Sequence, residues 1–414
     1  EIRLSLVGSE MCIRDRDKIL IGLVDADLLN GGTRHPNLVL LKLAGFLTDN
    51  AIPFRLIIDK DENIMEYTTI YMSKVFSFTP DPPFYEKVKK TPNENKFKIG
   101  GTGDYAIKKD IKDFKSSRTR DMNQLENDIF LNNYPNKRGG KKKWGIDMCR
   151  QMPYYHLYDE YIQSKIKAGR KKSYFNDYLY YSIGFLTRGC IRHCPFCVNK
   201  LENKVYRYSE LEWFLDDERN EKGDLIRPYI YLWDDNFLAA PKEIWQPMLQ
   251  SLIDSKRPFQ FRQGLDERIL AESEDGEEIA QMLSKCKYHG DFIFAFDNWR
   301  DRDKIIKALK IWKRHNSKRG TKFYLFCGYT LKSGEDEKLY NDIKILFERI
   351  KILMQYGCFG YVMRHADYVN HKLSNIYVQI ARWCNQPQFY RYMSFWEYLS
   401  LIHISEPTRL RRIS

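Results

Sequence analysis

The sequence predicts an α/β protein in two parts, a small doubly wound domain followed by a partial six-unit barrel of parallel strands. Three observations predict it. Short apolar runs bounded by Gly, Asn and Asp alternate with segments of helical spacing, first over 17–105 and again over 173–398. The second series holds six strand-like runs in about 190 residues, where an eight-unit barrel needs more chain. Neither an internal repeat nor a low-complexity tract interrupts the two series.

The elements follow in order. Residues 18–24 (KILIGLV) form a buried strand that ends at Asp25-Ala26-Asp27 and Asn30-Gly31-Gly32. Residues 38–48 place Leu38, Leu41, Ala44 and Phe46 at helical spacing, with Asn37 as the N-cap. Residues 54–58, 69–75 and 96–99 are further strands, the last running into Gly100-Gly101-Thr102-Gly103. In the second series, strands fall at 180–186, 229–233, 258–261, 291–296, 322–327 and 360–363. Helices lie between them, among them 243–255, 303–314 and 342–355. Parallel strands with helical crossovers suit this alternation.

Composition narrows the class. With 414 residues, 43% hydrophobic and 30% charged, the chain has material for a core and is not a disordered protein. No apolar run reaches the 18 or more residues of a membrane span, and no signal peptide is present, so no membrane partner is expected. Nine Cys in a chain of this length are no secreted disulfide framework. They read as cytosolic thiols or metal ligands, and the expected location is the cytoplasm.

Both ends read as foreign. Residues 6–15 (LVGSEMCIRD) and 399–409 (LSLIHISEPTR) back-translate into DNA strings that are reverse complements of one another. Both resemble a sequencing adapter read through as protein. Residues 1–16 and 399–414 are therefore expected to be non-native tails that make few core contacts.

The net charge is +13, and +11 without those tails. All of it sits in 86–172, which holds 22 Lys/Arg against 11 Asp/Glu, while the rest holds 40 of each. Within it, 106–172 reads as a basic connector carrying Lys141-Lys142-Lys143, Arg170-Lys171-Lys172 and the aromatic residues Trp144, Tyr154, Tyr155, Tyr158 and Tyr161. Such a stretch is either a nucleic-acid footprint or a solvated connector, and the second is favoured. In the second case Tyr154, Tyr155 and Tyr158 are expected to wall a cavity that takes a small molecule or peptide.

The chemistry concentrates at Cys190-Ile-Arg-His-Cys194-Pro-Phe-Cys197, directly after the first strand of the second series. Three thiolates within eight residues are able to wrap one metal. Structural zinc wants a fourth ligand. His193, adjacent to Cys194, supplies one only with strain. A cubane held by three thiolates leaves one iron open to a small molecule.

This C-x3-C-x2-C loop, with Arg188-Gly189 before it and Phe196 ahead of the last Cys, resembles the signature of the radical S-adenosylmethionine superfamily. The resemblance covers about 173–398. It implies a partial (β/α)6 barrel in which Cys190, Cys194 and Cys197 bind a [4Fe–4S] cluster. It further implies that the open iron takes S-adenosylmethionine, that an external donor supplies an electron, and that a 5′-deoxyadenosyl radical then abstracts hydrogen from a substrate. Phe196 packs near the adenine in this scheme. One of Asp234 and Asp235, with Gln263, faces the methionine end or the substrate, and Asp297 the ribose. The plainer reading of these strand-end groups, and of Asp266 and Arg268, is N-caps and turn residues. Cys149, Cys286, Cys327, Cys358 and Cys384 share no cluster spacing, so a second cluster is not expected.

A doubly wound, Rossmann-like domain ahead of such a barrel resembles the cobalamin-binding appendage of one radical subgroup, which carries D-x-H-x-x-G after its first strand. Here the loop reads Asp25-Ala26-Asp27-Leu28-Leu29-Asn30-Gly31. Asp27 stands at the His position and the Gly is one residue late. The two-part layout also resembles a group of bacterial and phage radical proteins, which supplies architecture and no substrate. The expectation is a radical enzyme of open substrate. The alternatives are a nucleic-acid-binding protein with a structural metal cluster, and a cobalamin-dependent radical methyltransferase.

Overall fold

The computed structural model describes residues 20–101, 147–197, 199, 203–329, 336–370 and 373–405. Residues 1–16, most of the basic connector with Lys141 to Lys143, and 406–414 lie outside the described residues. The fold is mixed α/β with parallel sheets. The chain divides into two compact units, Glu1–Asn203 with Arg207–Tyr231, and Lys204–Tyr206 with Leu232–Ser414.

The first unit is built on four parallel strands in the order β2-β1-β3-β4: β1 (Ile21–Asp25), β2 (Phe54–Leu56), β3 (Thr69–Ser73) and β4 (Phe97–Gly100). Both central strands are buried along their whole length, as a parallel sheet covered on two faces requires. Alternation sends Ile21, Leu23 and Tyr71 into one cluster and Val24, Ile70 and Met72 into the other. Register aligns the last residues of three strands, Asp25 beside Ser73 and Ser73 beside Gly100. Two helices follow β1, α1 (Ala26–Gly31) and α2 (Leu38–Asp49). Asn37 caps α2 as the sequence suggests, its Oδ1 accepting the Leu40 N–H at 3.2 Å.

Chain from beyond the connector completes this core. Met148, Tyr155, Leu157, Tyr158, Tyr161, Ile162, Phe175 and Tyr178 pack with Leu40, Leu43 and Leu47 of α2. The Tyr154 N–H donates to the Leu41 carbonyl at 2.8 Å, and the buried Lys42 Nζ donates to the Met148 carbonyl at 2.6 Å. The Met152 carbonyl oxygen occupies the place that a Cβ on Gly45 would need. Glycine at 45 is thus what lets this segment lie on the helix. Helix α3 (Asp159–Lys167) continues it, followed by β5 (Tyr181–Gly184), β6 (Thr187–Gly189), β7 (Val205–Arg207) and β8 (Tyr229–Leu232). The Tyr155 hydroxyl accepts the Ile183 N–H at 2.8 Å and donates to the Phe214 carbonyl at 2.7 Å, tying the segment to β5. The expected cavity wall is therefore a packed core, with Tyr155 and Tyr158 buried and Tyr154 half-buried.

In the second unit β9 (Phe259–Phe261) precedes a parallel sheet in the order β10-β11-β12: β10 (Phe292–Ala295), β11 (Thr321–Cys327) and β12 (Phe359–Arg364). The helices α4 (Lys242–Asp254), α5 (Arg268–Glu272), α6 (Gly276–Lys285), α7 (Arg302–Asn316), α8 (Asp336–Gln355), α9 (Ser374–Cys384) and α10 (Phe395–Ser405) fall between and after the strands. On α10, Tyr398 is buried and Leu401, inside the stretch read as foreign, is 47% exposed. No helix among the described residues is long and apolar enough to cross a membrane.

Candidate functional site

The cysteine loop belongs to the first unit. Strand β6 is buried, and the Arg188 guanidinium lies 4.1 Å from the Phe185 ring centroid. Gly189 has φ +92°, a conformation that side chains disfavour, and it turns the chain out of the strand directly into Cys190. The Cys190 Sγ accepts the Arg192 N–H at 3.3 Å. Cys194 and Cys197 end one turn, closed by a 3.0 Å hydrogen bond from the Cys197 N–H to the Cys194 carbonyl, with Pro195 at its second position. All three thiols are half-buried, and Phe196 is 38% exposed.

Four of the other cysteines differ in kind. Cys286, Cys327, Cys358 and Cys384 are buried. Burial pushes the thiols of Cys286 and Cys327 up to about 12, that of Cys358 to about 11, and that of Cys384 in the same direction. They are small apolar fillers, as their scattered spacing suggests. The soft donors within reach of solvent are those of the loop and Cys149. Among the described residues, no three His, Cys, Asp or Glu side chains converge on one metal position. The loop has the donor chemistry of a cluster site, and its three side chains must swing together to use it.

The strand-end groups of the second unit form a separate polar chain. Asn236 donates to Asp266 at 3.1 Å, and Asp266 accepts the Arg268 Nε–H at 2.6 Å. Arg268 reaches on to Asp301 at 3.0 Å. Burial works against the Arg268 charge, and Asp266, Glu267 and Asp301 outweigh it. Asp297 accepts the Phe326 N–H at 3.0 Å, which ties the end of β10 to β11. Burial raises its carboxyl above the ordinary range. Asp234 is buried, Asp235 half-buried and Gln263 exposed. The structure therefore joins Asp266 and Arg268 in one network, with Asp297 electrostatically coupled to both, and leaves the Gln263 amide facing solvent.

Two residues of this cluster escaped the sequence reading. Glu267 is buried; its Oε2 accepts the Ala295 N–H at 3.1 Å, and its Oε1 has no hydrogen-bond partner. Burial and the neighbouring Asp266 push its carboxyl well above the usual range. Arg349, on α8, is 1% exposed and its Nη1 donates to the carbonyls of Phe296, Asp297 and Phe326 at 2.6, 3.2 and 3.0 Å. A signal was present for each. Glu267 stands between the two charged residues picked out, and Arg349 interrupts the apolar stripe of Leu346, Ile350 and Leu353.

In the first unit, the loop after β1 is committed internally. Asp25 accepts the Leu28 N–H at 3.1 Å and the Tyr158 hydroxyl at 2.9 Å. Asp27 accepts the Val75 N–H at 2.6 Å, the Phe76 N–H at 3.3 Å and the Thr79 hydroxyl at 2.5 Å. The crevice where strand order reverses, between β1 and β3, is the usual ligand position of such sheets. Here Tyr158 enters it.

Compared with known proteins, the chain matches no family model and no curated protein.

Proposed function

We propose that the chain is a radical enzyme using S-adenosylmethionine and a [4Fe–4S] cluster held by Cys190, Cys194 and Cys197. The observation that carries the reading is the contrast among thiols: those at C-x3-C-x2-C spacing stand half-exposed in one loop after a buried strand, while four others are buried fillers. When bound, the cluster supplies the electron that cleaves the sulfonium of S-adenosylmethionine. The protein's own part is to hold and orient. Gly189 turns the chain into the loop, a backbone hydrogen bond from Cys197 to Cys194 closes the turn that carries two of the donors, and Phe196 offers an exposed ring for the adenine. Asp234, Asp235, Gln263 and Asp297 remain the proposed contacts to cofactor and substrate. Of these, the exposed Gln263 amide is the readiest donor, and Asp297 already spends one oxygen on Phe326.

In this reading the first sheet is a Rossmann-like domain, and β5 and β8 to β12 follow one another in the chain order of a partial six-unit barrel. The enzyme acts in the cytoplasm with an external electron donor. Cobalamin would find no axial ligand in Asp27, the residue at the His position, because its carboxylate is engaged by Val75, Phe76 and Thr79.

The test is anaerobic reconstitution with iron and sulfide. About four irons per chain and reductant-dependent release of 5′-deoxyadenosine are expected. Each single Cys→Ala change in the triplet should remove both. Tight zinc binding with no cofactor cleavage would overturn the reading in favour of a structural metal.

A further inference from the structure

In the first unit Arg34 and the run Lys165, Lys167, Arg170, Lys171 and Lys172 are exposed. None of them pairs with a carboxylate among the described residues. The nearby acids are engaged elsewhere, Asp177 by His35 and Asp159 by His156, leaving exposed Glu160. Two separate segments bring guanidinium groups to one ring. Arg34 lies 5.7 Å and Arg170 4.7 Å from the Tyr174 centroid. Lys165 lies 5.5 Å from the Tyr161 centroid, and both tyrosines pack edge-on against Phe175. A Cβ on Gly32 would meet the two tyrosine hydroxyls at 3.3 and 3.7 Å. The 31–34 loop and residues 161–174 are thus one continuous surface. Neither hydroxyl has a hydrogen-bond partner among the described residues.

Cations gathered for stability alone are ordinarily interleaved with carboxylates, since like charges held close repel. Here guanidinium forks and phenol donors stand together with no carboxylate paired to them among the described residues, which suits phosphate oxygens. The charge runs from Lys165 to Lys172 and across to Arg34, more than one phosphate neutralises. A lipid surface would also need side chains to insert, and over 159–172 the exposed large apolar residue is Ile166. We propose that this face binds the phosphate backbone of a nucleic acid. The inference stands without the cluster and is independent of the proposed enzymology.

The experiment uses the full chain and a fluorescein-labelled 20-nucleotide single-stranded RNA, read by anisotropy at 50 and 200 mM NaCl. Binding should weaken steeply with salt. Changing Arg34, Arg170, Lys171 and Lys172 to Glu should raise Kd at least tenfold and lower the log–log salt slope by about 3. The milder pair Arg34→Gln with Arg170→Gln, checked for an unchanged circular-dichroism melt, should weaken binding about tenfold by itself. No binding at 50 mM salt overturns the proposal. So does wild-type affinity in the Gln pair, loss only on changing Lys141, Lys142 and Lys143 to Glu, or equal affinity for phosphatidylserine vesicles at matched charge.

Discussion

The Tyr158 hydroxyl donates a 2.9 Å hydrogen bond to Asp25 Oδ2 and itself accepts the Asn37 N–H at 3.1 Å. It thereby seats a residue from beyond the connector at the carboxyl end of β1. Burial pushes the Asp25 carboxyl up to about 7, against the pull of Leu28 and Tyr158. A carboxyl raised in the fold favours folding fully below its unfolded pKa of 3.8, and that contribution is lost as pH rises through about 7. Asp25→Asn removes the penalty of the ionised form. Its melting temperature should gain on the wild type between pH 5.5 and pH 8.5, reflecting a stability gain on the order of a few kcal/mol at the upper end. Tyr158→Phe should cost about 1–3 kcal/mol, and more at pH 8.5 than at pH 5.5. Parallel melts across that range check both.

His156 carries a pH signal of the same sign within the same unit, from a cationic group and with a different cause. Burial lowers its pKa, but Asp159 at 2.7 Å and Glu218 at 2.8 Å outweigh burial and raise it. The stabilisation is present below the unfolded pKa of 6.5 and disappears as pH climbs through the folded value. His156→Gln should lower the melting temperature at pH 5.5 and leave it unchanged at pH 9. The ring is half-exposed, so the effect is small. An equal loss at both pH values would assign His156 a packing role instead.

Thiol labelling separates the two classes of cysteine before any cluster is loaded. Under native conditions, iodoacetamide should modify Cys190, Cys194 and Cys197 and spare Cys286, Cys327, Cys358 and Cys384 until denaturant is added, because the last four are buried and held protonated. Peptide mass mapping reads the sites. After reconstitution with iron and sulfide, the three loop cysteines should become protected while the rest of the map stays the same.

Arg349→Met should destabilise the second unit by about 3–5 kcal/mol, since the carbonyls of Phe296, Asp297 and Phe326 would lose a charged donor in a buried place. The cost should appear in urea melts as a lower midpoint with an unchanged slope. Arg349→Lys should recover part of it, because an ammonium reaches fewer of the three carbonyls than a guanidinium fork does.

Much of this architecture is written locally. The run 18–24 announces β1 because a parallel central strand is apolar on both faces, and Asn37 announces the start of α2 because its side chain has a defined acceptor role. The cysteine loop is legible for the same reason, as spacing within eight residues. What was hidden is non-local. Tyr155, Tyr158 and Tyr161 read as parts of a basic connector because Lys and Arg surround them, and their packing against the helix depends on a glycine at 45 more than a hundred residues earlier. Arg34 lies outside the basic stretch, and only folding brings it to Tyr174 beside Arg170. Three-residue strands such as β6 are too short to leave a periodic trace. Whether three thiols converge depends on rotamers, which spacing does not encode.

The dependence of the first core on residues 148–178 also sets an order of events during synthesis. When the ribosome has released β4, one face of the sheet is backed by Val24, Ile70, Met72, Phe84 and Phe97, all already made. The other face still lacks Tyr155, Tyr158 and Phe175. About seventy-five further residues must emerge before Phe175 arrives, some four to fifteen seconds at ordinary elongation rates. Until then Leu40, Leu43 and Leu47 share a cluster with Ile21, Leu23 and Tyr71 but lack the aromatic residues from beyond the connector. Expression of 17–105 alone should therefore yield a half-covered sheet rather than a folded domain.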